Sequence, residues 1–370
     1  MSAGGEQEVR VSTIELFFDL VFVYTVTQLT HLIDHAHGPG DFVHAFVVLV
    51  LIWWMYSGYA WLTNGMNVAV GAGRQMRIVL IAAAAAFLVM SQAIPESFGE
   101  RTLAFALCYA FVVVWHLAAF AWHAGPGLGP ALARLAPFNL GAAGLVLAAA
   151  FVPEAWKFWC FAAAALIFVV VTLLRREQGF SLHAGHFVER HGLIILIVLG
   201  ESVAAIAAGS EARGFSATGV AEIALSLVLV AALWWCYFDR DDQRAEHAMR
   251  IAGPKARGRM AIVGYWYGHL AMICGVVLVA AGIRQMLGAE TAHGAAGWLV
   301  SCGVAVYLAG DVLFRVALHL SPLAFRAFGA AAAPAFGLLA VAGTVAELAG
   351  LSLLVAAVLA IERYHLPQAP

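Results

Sequence analysis

The sequence predicts an all-α, polytopic transmembrane helical bundle of about twelve spans, and three observations carry that prediction. The 370-residue chain is 63% hydrophobic and only 11% charged, with a mean hydropathy of +0.88. Soluble domains carry about 25% charged residues. Apolar runs of roughly 18 residues or more recur along it, each long enough to cross a bilayer core. These runs are rich in Leu, Ala, Phe and Gly and show no strand-like alternation. Lipid offers the backbone no hydrogen bonds, so such runs are helices.

In chain order the spans are predicted at 13–36, 41–63, 76–94, 101–122, 132–152, 155–174, 187–209, 218–238, 261–284, 296–316, 326–343 and 345–363. Residues 323–361 form one run interrupted only by Pro334 and Gly343, which reads as one span or two. Residues 1–12 and 364–370 are short tails, and 13–174 and 175–363 are two six-span halves. The N-terminal tail carries Glu6 and Glu8 and lacks the basic region and A-x-A site of a cleaved signal peptide, so the first span is expected to remain. The mixed-charge stretch 239–259 reads as a solvated cytoplasmic connector, with anionic-lipid contact or regulation as the alternative.

Loop charges orient the chain. With twelve spans, one side holds Arg10, Arg74, Arg77, Arg134, Arg175, Arg176, Arg240, Arg244, Arg250, Lys255, Arg257, Arg259, Arg315, Arg326 and Arg363. The other holds Arg101, Lys157, Arg213 and Arg284, fifteen against four with Arg190 set aside as intramembrane. The positive-inside rule then makes both termini cytoplasmic.

A repeat is also legible. The second span ends W-W-M-Y (Trp53 to Tyr56) and the eighth ends W-W-C-Y (Trp234 to Tyr237), each followed by a basic segment. Recurring aromatic belts and arginines explain this without a repeat. If it is one, two six-span units are parallel, and the first and seventh spans are equivalent.

Those two spans carry the most unusual polar residues. Glu15 and Asp19 lie about 40° and about 6 Å apart on a helix. A carboxylate at the bilayer centre costs about 2.5–3.5 kcal/mol, so two on one face need a reason. Two neighbouring acids can share or exchange a proton; the bland alternative is that Glu15 caps the helix and Asp19 pairs with an arginine. Gln28 and His31 follow further along. In the seventh span Arg190 and Glu201 share a face, but about 16 Å of rise keeps them apart. Each needs a partner on another helix, and an acid of the first span suits Arg190. Gly200 is expected to permit close helix approach. Asp311 and Arg315 have the spacing of an intrahelical ion pair. His116 and His269 read as core histidines before proton relays.

Metal spacings are weaker. His183, His186 and Glu189 spread over about 120° of helix, broader than a zinc-binding face, and His31, Asp34 and His35 gather at the end of the first span. No nucleotide-binding or serine-hydrolase motif is present. Cys108, Cys160, Cys236, Cys274 and Cys302 lie in apolar runs without a C-x-x-C and read as small hydrophobes. The net charge of −2 argues against nucleic acid as a partner.

The stretches E-L-F-F-D-L-V-F-V (Glu15 to Val23) and E-R-H-G-L-I-I-L-I-V-L-G-E (Glu189 to Glu201) together resemble the bacterial low temperature requirement A family. The likeness extends over residues 11–363. It implies a polytopic inner-membrane protein named for a growth phenotype in the cold. It transfers the motif positions Glu15, Asp19, Glu189, Arg190, Gly200 and Glu201, and no substrate.

These readings favour a secondary, proton-coupled transporter with a polar site near the midplane between the first and seventh spans. Its candidate residues are Glu15, Asp19, Gln28, His31, Glu189, Arg190, Glu201, Asp311 and Arg315. The expected partners are the bilayer and a small-molecule or ion substrate, with no cofactor, no metal and no assigned catalytic residue; a homo-oligomer is left open. A membrane enzyme or accessory protein acting on lipids or lipid-linked substrates is the second reading, and a non-catalytic assembly or sensor protein the third.

Overall fold

Apolar runs in lipid close their hydrogen bonds within one helix, and the computed structural model is built that way throughout. It describes residues 10–66, 73–123, 129–174, 182–211, 216–288 and 295–365. Arg175, Arg176 and Arg213 of the charge count lie outside these, as do residues 1–9 and 366–370 of the tails.

The helices are α1 (Thr13–Asp34), α2 (Pro39–Met66), α3 (Gly73–Ser91), α4 (Thr102–His123), α5 (Gly129–Ala148), α6 (Glu154–Leu174) and α7 (Ala184–Ser210). There follow α8 (Ala217–Phe238), α9 (Asp241–Ile251), α10 (Pro254–Met260), α11 (His269–Gly288), α12 (Ala295–Ala317), α13 (Ala324–Ala332) and α14 (Thr344–His365). Among the described residues, 12 helical stretches are long and apolar enough to cross a membrane. Phe17, Leu20, Trp122, Phe151 and Leu353 are exposed, as side chains facing lipid are.

The last run is two helices. A 3₁₀ stretch, Ala333–Ala342, continues α13 and ends at Gly343, whose φ of 112° is a conformation that favours glycine; α14 starts at the next residue. Pro334 sits near the start of the 3₁₀ stretch, where it has no N–H to donate to the last turn of α13 and the α-helical ladder gives way.

Residues 239–259, expected as a solvated connector, are helical as α9 and α10. α9 buries Asp241, Ala245 and Met249, because its small and apolar residues recur at i, i+4 and i+8. Arg257 ties off its C-terminus, donating to the carbonyls of Met249 (2.9 Å), Leu182 (2.8 Å), Arg250 (3.1 Å) and Ala252 (3.4 Å).

The chain forms two compact units. The first comprises Met1–Phe22, Leu51–Leu193 and Ala245–Arg259. Its core is aromatic: Phe18 meets Phe87 edge-on at 5.6 Å, and Phe22 lies 4.3 Å from Tyr56. Trp54 stacks on Phe168 at 4.4 Å and donates to Asn139 Oδ1 at 2.6 Å, while the Tyr59 hydroxyl donates to the Val112 carbonyl at 3.0 Å.

The second unit comprises Val23–Val50, Ile194–Arg244 and Met260–Pro370. Its centre is the α11–α12 pair, where glycines recur every seventh residue: Gly275 and Gly282 on α11, Gly303 and Gly310 on α12. A Cβ on Gly275 would sit 2.5 Å from the Tyr307 backbone nitrogen, so only glycine allows this approach. Between α10 and α11 the backbone widens into a π-helical segment, Ala261–Gly268. The Gly264 carbonyl there lies 3.2 Å from His269 Nδ1, and Tyr237 meets Nε2 at 3.0 Å, so His269 is a satisfied core residue. His116 packs on Tyr59 and Phe120 in the first unit. The described cysteines form no disulfide.

Candidate functional site

The first unit encloses a charged cluster between the opening turns of α1 and α7. The sequence Ser12-Thr13-Ile14-Glu15 is a capping box, and Glu15 Oε2 reaches back to the Ser12 amide (3.0 Å) and hydroxyl (2.8 Å). Its other oxygen accepts from Arg190 Nη1 at 2.5 Å. The same nitrogen donates to Thr63 Oγ1 at 2.6 Å, and Arg190 Nη2 donates to Asp19 Oδ1 at 3.0 Å. Both parts of the bland alternative are thus present, Glu15 capping the helix and Asp19 pairing with an arginine, and Glu15 pairs with the same arginine. Phe18 and Tyr56 present their rings 5.8 Å from the guanidinium carbon.

His186 closes the cluster, and its protonation follows from its partners. Asn64 Oδ1 accepts from the His183 amide at 3.0 Å, which fixes the Asn64 nitrogen as the end facing His186 Nδ1 at 3.2 Å. A donor there makes Nδ1 the acceptor, so the proton sits on Nε2, 3.2 Å from Glu15. His186 is therefore neutral. Two carboxylates then face one guanidinium, one negative charge in excess, with Glu15 and Asp19 fully buried and Arg190 1% exposed. Asp19 Oδ2, Arg190 Nε and the Tyr56 hydroxyl are buried without a hydrogen bond of good geometry, and the Tyr56 hydroxyl lies beside both Asp19 and Arg190. A lone excess charge in such a place is costly, and protonating Asp19 on Oδ2 removes it.

The cluster lies nearer the helix starts than the expected midplane: Asp19 and Arg190 are each about 9 Å along their helices. Glu189 does not join it; exposed, it accepts from the Val11 amide at 3.0 Å.

The second unit holds two further groups. Thr27 donates to Glu201 Oε2 at 2.6 Å. Nearby in sequence, His31 Nδ1 lies 2.9 Å from Arg284 Nη1, and Asp34 lies 3.4 Å from Arg284 Nε. A guanidinium only donates, so His31 accepts and is neutral in this contact. Gln28 is half-buried and makes no side-chain hydrogen bond among the described residues. Gly200 is exposed, with nothing within 4 Å of where a Cβ would stand, so it does not serve helix approach. Gly209 does, since a Cβ on it would meet Leu287 Cβ at 2.8 Å.

The third group keeps the expected Asp311–Arg315 ion pair, adds stronger partners to it, and corrects the count of loop charges. Asp311 and Arg315 are 3.9 Å apart, and each has nearer partners. Arg315 donates to Asp241 at 2.6 and 3.1 Å, to the Pro322 carbonyl at 2.7 Å, and to Glu362. Arg326 donates to Asp311 at 2.9 Å, to Glu362 at 2.6 Å and to the Cys236 carbonyl. Arg315 and Arg326, counted among loop charges, are thus buried by three acids drawn from α9, α12 and α14. Thr27, Tyr56, Thr63, Asn64, Asp241, Arg326 and Glu362 escaped sequence reasoning; only polar identity within or beside an apolar run could have flagged them.

Among the described residues no three His, Cys, Asp or Glu side chains are arranged to hold a metal ion. Of the two spacings that suggested one, His186 is taken by Asn64 and Glu15, and Glu189 faces outward.

Twelve apolar helices with charged groups held inside define an integral, multi-pass membrane protein. The chain belongs to the bacterial low temperature requirement A family: the family model of the bacterial low temperature requirement A protein (LtrA) matches residues 10–362. It is also similar to the uncharacterized protein RA0937 of Rhizobium meliloti (strain 1021), 23% identical over 298 residues, covering 74% of this chain and 69% of that protein.

Proposed function

We propose that this protein is a secondary transporter of the bacterial inner membrane, coupled to protons, with Asp19 as the proton-carrying group. The observation that carries the reading is the charge excess around Arg190, together with the buried Asp19 Oδ2, which has no hydrogen bond of good geometry. A proton arriving at Oδ2 neutralises the cluster. One leaving it loosens the balance that holds α1 to α7 and gives a small substrate or ion a charge to compete for. Arg190 serves as the counter-ion, Glu15 anchors it, and Glu201 with Thr27 offers a second polar station on the same two helices.

Two further parts belong to the proposal. The excess of loop arginines on one side supports cytoplasmic termini, even without the buried Arg315 and Arg326. The halves 13–174 and 175–363 also repeat a packing order: α3, α4, α5 and α6 pack in succession with α2 on α6 and α4, and α11, α12, α13 and α14 pack in succession with α8 on α14 and α12. In one, Tyr59 of α2 reaches a carbonyl of α4; in the other, Tyr307 of α12 reaches a carbonyl of α8. That supports parallel six-span repeats.

The test is flux. The full chain in liposomes, given an imposed pH gradient and panels of small ions and metabolites, should move protons with at least one substrate, and Asp19→Asn should abolish it. Equal flux in both proteins, or none across broad panels, removes the reading.

A further inference from the structure

Glu347 stands apart from all three charged groups. It lies in the first turn of α14, fully buried, and among the described carboxylates it alone has both oxygens buried without a hydrogen-bond partner. Among the described residues no side chain forms a hydrogen bond or ion pair with it. The 3₁₀ stretch packed on α14 contributes only apolar side chains there: Phe336 and Leu339 line the Gly350 face.

α8, α12 and α13 also pack on α14; the arginines of α12 and α13 that meet it, Arg315 and Arg326, do so at Glu362, about 22 Å along the helix from Glu347, and the titratable group of α8 nearer Glu347 is Glu222. Arg326 bonds both the Cys236 carbonyl and Glu362, so the C-terminal ends of α8 and α14 lie together. Counting back about 21–22 Å along each helix puts Glu222 and Glu347 at matching heights. Glu222 is buried as well, and it is acidic, so it offers Glu347 no counter-charge.

An ionised carboxylate with neither oxygen paired is among the costliest groups to bury, whereas a neutral carboxyl is tolerated. Glu347 is four residues past Gly343, about 6 Å along the axis, and Ala342 just before that turn is exposed, so the distance from the carboxyl to the surface at the hairpin is short. We propose that Glu347 is a second proton-binding site, taking up one proton when buried and releasing it toward the hairpin turn at Gly343. It does not depend on the role given to Asp19.

Dicyclohexylcarbodiimide, a membrane-permeant reagent that attacks protonated carboxyls in apolar surroundings, tests this on the full chain in membranes, with peptide mass spectrometry locating the adduct. The expected result is an adduct on Glu347 at pH 5 that falls, past its midpoint, by roughly tenfold per pH unit. A Glu347→Gln protein should lose that adduct while keeping any on Asp19. Three results overturn the proposal. Absence of labelling at every pH means a permanently ionised acid held by the α14 N-terminus. Labelling unchanged from pH 5 to pH 9 means a permanently neutral packing group. Protection by sodium at fixed pH means a metal cation site instead.

Discussion

Arg190 and Asp19 are 171 residues apart in sequence and 3.0 Å apart in the structure, joined by a hydrogen bond to one Asp19 oxygen, while the second oxygen is buried with only the Tyr56 hydroxyl beside it. Glu15 accepts from the other terminal nitrogen of the same guanidinium, so one cation is shared by two acids, while His186 meets Glu15 alone of the three.

Removing the cation should therefore cost more than removing either acid. Arg190→Met strands two buried carboxylates, and about 3–5 kcal/mol of stability should be lost, read as a lowered unfolding midpoint in detergent. Arg190→Lys should recover only part, since a point charge cannot reach Glu15, Thr63 and Asp19 at once. Full recovery by lysine would contradict the forked geometry.

The His186 tautomer is checked separately. Histidine-labelled protein should give, by nitrogen NMR, a neutral His186 ring protonated on Nε2. Asn64→Leu removes the donor to Nδ1 and should release that preference. A doubly protonated ring in the unmodified protein would restore charge balance to the cluster and leave Asp19 no reason to hold a proton.

Much of this fold was legible in the sequence, and the reason is the solvent. Lipid forces each long apolar run to be a helix, so the spans followed from composition and length. That Arg190 would seek an acid of the first span also followed, from the cost of a lone charge. The Asp241, Asp311 and Glu362 group was not legible, because it gathers side chains from several elements and three-dimensional packing alone decides which arginines leave the loops. Glu347 was hidden by the run 323–361, whose turn is marked by a single glycine.

That third group should be structural. Arg326→Met leaves Asp311 and Glu362 partly uncompensated and should lower stability by about 3–5 kcal/mol. Protein that remains folded should keep proton-coupled flux. Loss of flux at unchanged stability would move the functional site into the second unit.

The glycines give a paired test. Gly275→Val drives a side chain into the backbone of Tyr307 and should cost about 3 kcal/mol or more. Gly200→Ala, at a position with open space around it, should be neutral or stabilising by up to about 1 kcal/mol. Thermal unfolding of both variants checks the pair, and a strongly destabilising Gly200→Ala would restore the helix-approach role expected for that glycine.

The claim at the centre is that Asp19 carries an exchangeable proton on its second oxygen. Infrared difference spectroscopy across a pH step, on the full chain in lipid, reads it directly. A carboxylic C=O band that shifts in heavy water, disappears on raising the pH and is missing from Asp19→Asn is the predicted result. A spectrum in which Asp19→Asn removes only a carboxylate band, present at every pH, would show that Asp19 is permanently ionised and would contradict the account.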